Sequence, residues 1–239
     1  WTQTSYIQPQ VHTFDLMLWN ETSGRYTVDR YVDDAIDRYG GMDSVLLWPT
    51  YPNIGLDDRN QFDLIRLANL SDAVAGFHRR GVKVLLPYNP WDIATRREGK
   101  PDWDVLAALG AELGADGFNG DTMRRVPREF WSASVAAGRP MAIEPEGGGY
   151  PDTTSVADEA QFNSSRWMPL GWAYLWEGIL KADNETTKYL PRPGVDRGKW
   201  LDPEGRHLSH VTDRWRKERL VAIRLGFFNG EGISSWENV

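Results

Sequence analysis

The chain has 239 residues, 41% of them hydrophobic, and a formal net charge of −7 from 27 basic and 34 acidic side chains. A core of useful size can be buried, so global disorder is excluded, and the acidity opposes a broad nucleic-acid footprint or an anionic membrane surface. No apolar run approaches the roughly 20 residues needed to span a bilayer, and the absence of cysteine excludes thiol catalysis and a disulfide framework.

In chain order, residues 11–19 (VHTFDLMLW) read as a first strand. Residues 27–39 have helical spacing, with Thr27 as the expected N-cap and Gly40-Gly41 as the stop. Ser44 to Trp48 reads as a buried strand ended by Pro49, and residues 62–80 as one helix stopped by Gly81. A strand follows over 82–88, a helix over 103–113 capped by Asp102, and a strand over 115–121. The fifth unit is a helix over 127–137, with Pro at its first turn, and a strand over 139–146. Past the Gly147-Gly148-Gly149 loop, a sixth strand is expected within 162–172, an excursion over 183–210, a helix over 212–225 and a seventh strand over 232–236.

Strands alternating with helices through short connections imply a parallel sheet with helices outside it. An open doubly wound sheet advertises a glycine-rich phosphate turn after an early strand, and none is present. The strands end instead in polar and aromatic residues, which is how a barrel builds an active site. The expected fold class is therefore α/β, a TIM-type (β/α)8 barrel, as one domain over 1–239. An eighth strand would have to follow Val239. The start at Trp1 and the stop within Ser234-Ser235-Trp236-Glu237-Asn238-Val239 read as a piece of a longer polypeptide.

The strand ends carry the candidate chemistry. Asp121 follows Asn119-Gly120, where a flanking glycine permits close approach of a ligand. Glu144 and Glu146 end the next strand, two apart and so on one face, with Pro145 between them. Glycoside hydrolysis needs two carboxyl groups, about 5 Å apart for retention, and neighbouring strand ends supply that distance. Glu237 is a further carboxylate with the same address. Trp48, Tyr51, Tyr88, Trp91 and Trp236 are candidate platforms for the apolar face of a sugar, and Asn89, Asp92 and Asn119 candidate hydroxyl partners. His207-Leu208-Ser209-His210 spaces two imidazoles as some zinc sites do, with no third ligand at hand. No metal and no cofactor is expected.

Twelve tryptophans and nine tyrosines suit a carbohydrate cleft. Four Asn-X-Ser/Thr sequons, at Asn20, Asn69, Asn163 and Asn184, point to a secreted glycoprotein.

At Asp116-Gly-Phe-Asn-Gly-Asp121 and Ile143-Glu-Pro-Glu146 the chain resembles the barrel glycoside hydrolases of the α-galactosidase and α-amylase type, over roughly residues 11–239. The resemblance implies a nucleophile at Asp121 and an acid/base at Glu144 or Glu146. Asn119 stands where the amylase pattern has Arg, which keeps the resemblance at the level of the broader class. Residues 227–239 also look like part of large extracellular proteins in which such a barrel leads into further domains or chains. Two functions follow as expectations: a retaining glycosidase acting on an oligo- or polysaccharide, or a silent glycan-binding or structural barrel.

Overall fold

A computed structural model describes residues 1, 5, 7–50, 53–123, 125–145, 150–152 and 233–237. The chain divides into two compact units, Trp1–Leu170 with Ser234–Val239, and Gly171–Ile233. The expected sixth strand, the excursion and the helix over 212–225 lie outside the described residues.

The fold is mixed α/β. Its main sheet contains β1 (Ile7–His12), β4 (Ser44–Trp48), β5 (Lys83–Tyr88), β6 (Gly117–Gly120), β8 (Ala142–Pro145) and β10 (Ile233–Glu237). Their order is β10-β1-β4-β5-β6-β8, and the ladders from β1 to β8 are all parallel. The crossovers carry α1 (Val28–Tyr39), α2 (Gln61–Leu67), α3 (Ser71–Arg79), α4 (Asp102–Leu113) and α5 (Arg128–Ala136). Two short pairs stand apart: β2 (Trp19–Asn20) with β3 (Arg25–Tyr26), and β7 (Arg125–Pro127) with β9 (Tyr150–Asp152).

Period-two alternation divides the sheet into two faces. Val45, Leu47, Val84, Leu86, Phe118 and Ile143 join Tyr31, Phe77, Leu106 and Phe130 of the helices in the main core. The other face carries a small apolar cluster, Leu46, Trp48, Leu85 and Ala142, among the buried polar residues Gln8, Gln10, Ser44, Asn119 and Glu144.

That second face is concave. Gln8 on β1 donates from Nε2 to Glu144 Oε2 on β8 at 2.6 Å. Four strand steps separate β1 from β8, about 19 Å in a flat sheet at ~4.8 Å per step, which two side chains cannot bridge. The contact is also staggered. Carried on at constant offset past Leu46 and Leu85, the ladders lead from Glu144 through Asn119 and Pro87 to Trp48 and His12, yet the residue that meets Glu144 is Gln8, four positions before His12.

Local chemistry explains where the elements stop. Gly40 takes φ +93° and its amide closes on Ile36 O, with the Gly41 amide on Ala35 O, so α1 ends in a left-handed αL motif. Thr27 precedes α1 as expected, but its hydroxyl donates to Met17 O and Leu18 O rather than capping the helix. Asp102 is not a cap either: it is the first residue of α4, after Pro101. The helix expected over 62–80 is two helices. Asn69 sits at φ +48° between α2 and α3, a conformation Asn tolerates better than most side chains. The first strand is also earlier than expected, at Ile7–His12, and residues 13–18 form turns in which Phe14 and Leu16 are exposed.

At the N-terminal edge of the sheet, Asp116 gathers three basic side chains: His78 Nε2 at 2.6 Å, Lys83 Nζ at 3.3 Å and Arg139 Nη2 at 3.2 Å. It also accepts the Val84 amide. This cluster ties α3, β5 and the start of β8 together, at the end away from the candidate site.

Candidate active site

Parallel strands bring their C-terminal ends to one edge, so the loops after β4, β5 and β6 converge. At that edge Asp121 follows β6, only 6% exposed. Its amide donates to Tyr88 O on the neighbouring strand. Its Oδ2 accepts two N–H donors from the loop after β5: Asn89 Nδ2 at 3.0 Å and Trp91 Nε1 at 2.6 Å. Two donors on one carboxylate oxygen fix the side chain's direction.

The turn that carries Asp121 is tight. Met123 N closes on Gly120 O, and Thr122 between them holds φ +61°. A Cβ at Gly120 would lie 2.6 Å from Met123 Sδ and 2.8 Å from Met123 Cβ, so only glycine fits. A β-branched residue with positive φ is strained, and strain of this kind collects at functional sites.

Behind the donors lies a buried polar network. Thr50 Oγ1 donates to Asn89 Oδ1 at 3.1 Å. Gln61 Nε2 donates to Asn89 O at 2.9 Å, and Asn89 N donates to Gln61 Oε1 at 2.6 Å. The backbone N–H of Gln61 donates to Asp92 Oδ2 at 2.8 Å. None of Thr50, Gln61 and Asn89 is accessible to solvent.

Of the other residues marked out in the sequence, Trp91 is 39% exposed and offers ring surface at this edge. Asp92 is buried, accepting from Gln61 N and Thr95 Oγ1, so it orders the loop. Trp48 and Asn119 are buried on the concave face. Tyr88 turns to the helix side, where its hydroxyl donates to Asp102 Oδ2 at 3.0 Å. Burial, with Asp102 adding to it, pushes its phenol well above the usual tyrosine range. Trp236 and Glu237 belong to β10 beside β1, on the same sheet but away from β6. Tyr51, Glu146, Asn163, Asn184, His207 and His210 lie outside the described residues.

Glu144 is placed differently from Asp121. Its register partner on β6 is Asn119, not Asp121, and it is 3% exposed within the concave face. Gln8 ties it to β1, and Ser44 Oγ holds the far end of that amide at 2.7 Å. Burial raises its carboxyl to about 8, against the amides of Gln8 and Asn119, which pull it down. At neutral pH this group is mostly the neutral acid.

Further round the same edge, His12 stacks on Phe14 with ring centroids 4.9 Å apart, and burial lowers its imidazole below the usual histidine value. A cavity of about 390 Å³ opens between the ends of β5 and β6 and their helices, lined by Tyr88, Pro90, Asp102, Trp103, Thr122 and Phe130 among others. Among the described residues no three metal-ligating side chains gather, and no helix is long and apolar enough to cross a membrane.

Sequence reading missed Gln61 and Thr50. Gln61 directly follows Asn60, the N-cap of α2, which receives the Asp63 amide and completes a capping box with the Asp63 side chain. A cap of that kind could have located the helix start, and with it the first residue facing the strand ends.

No protein-family model matches the chain, and no curated protein does. A search of solved structures finds the crystal structure of a beta-arabinopyranosidase at 16% identity and a TM-score of 0.34. The likeness covers 62% of this chain and 23% of that one, so the chain spans under a quarter of its length.

Proposed function

We propose that this chain contributes a TIM-type (β/α)8 barrel acting on carbohydrate as a retaining glycoside hydrolase. The observation that carries the reading is Asp121: a carboxylate at a strand's C-terminal end, aimed by Asn89 and by the half-exposed indole of Trp91. The curl that brings Gln8 to Glu144 supports a barrel.

In this reading Asp121 attacks the anomeric carbon, and the bond to the leaving oxygen breaks as the acid/base protonates that oxygen. The same acid/base then takes a proton from water, whose oxygen attacks the anomeric carbon and releases Asp121. Glu144 is secluded against Gln8, so the role of acid/base falls to Glu146, the carboxylate two residues on in the sequence. Strand neighbours ~4.8 Å apart suit the ~5 Å carboxyl spacing of retention. Glu144 is then an interior acid rather than a catalyst. The Trp91 ring gives a sugar face somewhere to stack, and the sequons fit export from the cell.

A second reading rests on the burial of Glu144. If the chemistry needs that carboxyl, its seclusion against Gln8 leaves a barrel that binds glycans without cleaving them.

The test is a hydrolysis screen against aryl glycosides and polysaccharides with Asp121→Asn, Glu144→Gln and Glu146→Gln alongside. The glycosidase reading expects turnover that vanishes in Asp121→Asn, falls steeply in Glu146→Gln and survives in Glu144→Gln. Undiminished turnover in folded Asp121→Asn would sink it, and binding with no turnover on any substrate would favour the silent barrel.

A further inference from the structure

Both donors to Asp121 come from one short stretch, Asn89 to Asp92, and a single residue grips that stretch at each end. Gln61 is the first residue of α2 and completely buried. Its side-chain amide brackets the Asn89 backbone, accepting from Asn89 N at 2.6 Å and donating to Asn89 O at 2.9 Å. Its own backbone N–H, one of the orphan donors at a helix start, goes to Asp92 Oδ2 at 2.8 Å. Between the two grips, Asp92 N closes on Asn89 O, and Trp91 lies inside that turn. Asn89 Nδ2 and Trp91 Nε1 then converge on the same oxygen of Asp121.

We infer that Gln61 is the positioning residue of this site, setting Asn89 and Trp91, and through them the direction of the Asp121 carboxylate. The inference rests on reading Asp121 as the reacting carboxylate, but the geometry it describes is measurable without turnover. A glutamine amide is suited to the task because one planar group both accepts and donates and so mimics a strand partner for a residue just past its own strand. Methionine at 61 keeps the volume and loses both hydrogen bonds. Glutamate keeps the acceptor and loses the donor. Thr50 cannot substitute, because it holds only the side-chain oxygen of Asn89.

The experiment reads the Trp91 indole N–H by nitrogen–proton NMR on the full chain, the resonance being assigned by its loss in Trp91→Phe. An indole N–H donating to a carboxylate resonates downfield, and Asp121→Asn marks where it moves when that carboxylate is neutralised. Gln61→Met should shift the Trp91 signal upfield and broaden it. Gln8→Met should leave it in place, since Gln8 is equally buried but commits its amide to Ser44 and Glu144. If Gln61→Met does not fold, Gln61→Glu is read in the same way, with a smaller shift in the same direction. An unmoved Trp91 signal in a folded Gln61 variant, or an equal shift in Gln8→Met, overturns the inference. Where turnover is found, Gln61→Met should lower kcat about 100-fold with KM changed far less, as expected when a reacting group is misplaced rather than removed. Turnover that survives Asp121→Asn would remove the glycosidase reading while leaving the NMR result to stand or fall by itself.

Discussion

Gln8 Nε2 lies 2.6 Å from Glu144 Oε2, although β1 and β8 are four strands apart in the sheet. The contact requires the sheet to curl, and it requires Glu144 to sit where water does not reach. Both consequences can be measured.

The first concerns pH. Glu144 ionises near 4.5 in the unfolded chain and at about 8 in the native one. Below 4.5 both states hold the proton and stability is at its full value. Between 4.5 and 8 the unfolded chain releases the proton and the native chain keeps it, so stability falls as pH rises. Above 8 both are ionised and the loss levels off. Glu144→Gln, neutral at every pH, should lack this decline and melt higher than the parent at pH 8 to 9. Parallel melting curves for the two proteins across pH 4 to 9 would show that the carboxyl is not buried in this way.

The second concerns the turn after β6. Thr122 holds φ +61°, which costs an L residue roughly 1–2 kcal/mol and a β-branched one at least that. Thr122→Gly should raise stability by about 1 kcal/mol after the entropy of glycine is counted, about 2–4 °C in Tm for a domain of this size. Urea titration decides it. A loss of stability would mean that contacts of the threonine side chain outweigh the strain.

The third concerns Asn89. Its side chain links Thr50 to Asp121, and both partners are buried. Asn89→Leu would strand the Thr50 hydroxyl and take one donor from Asp121 Oδ2 while Trp91 keeps donating to it, so a loss of about 2 kcal/mol is expected. Thr50→Val removes only one end of the chain of bonds and should cost about 1 kcal/mol. Chemical denaturation of both variants separates them, and equal losses would mean that Asn89 matters to stability through its backbone alone.

The fourth concerns glycosylation. Asn69 is exposed and sits at the break between α2 and α3, with Ser71 opening the next helix. Expressed through a eukaryotic secretory pathway, the protein should carry a glycan there. Ser71→Ala removes the sequon while leaving the left-handed Asn69 in place, and should abolish the matching mass. An unchanged glycopeptide map would count against modification at this position. Asn20 is a poorer acceptor, since its Oδ1 already receives the Ser23 amide.

Some of this was legible in residue order. Ser44 to Trp48 is a strand to the residue, because a continuous apolar run closed by proline has few other uses. The succession of strands and helices through residue 145 was readable from alternating periods. Asp121 was marked out by its place after a strand, and it is where two donors converge. The first strand was misplaced for a physical reason. Its inward residues are Gln8 and Gln10, which periodicity counts as solvent-facing, whereas the apolar Phe14 and Leu16 beyond it are exposed. A polar interior layer inverts the signal on which strand recognition depends. The break at Asn69 was hidden because apolar spacing runs through it, and one left-handed residue leaves no trace in that spacing. Gln61 was missed because its partner Asn89 lies 28 positions away, and the cap at Asn60 marks its place but not its role.

The placement of β10 beside β1 has a consequence for biosynthesis. A ribosome adds ~5–20 residues per second, so strand 233–237 emerges roughly ten to forty seconds after strand 7–12. Over that interval the edge of β1 that β10 will occupy waits for it, while the other edge pairs with β4 as soon as residue 48 is out. A nascent chain with a waiting edge is a template for mispairing, so a holding chaperone should bind it most strongly once β4 has formed and let go when β10 arrives.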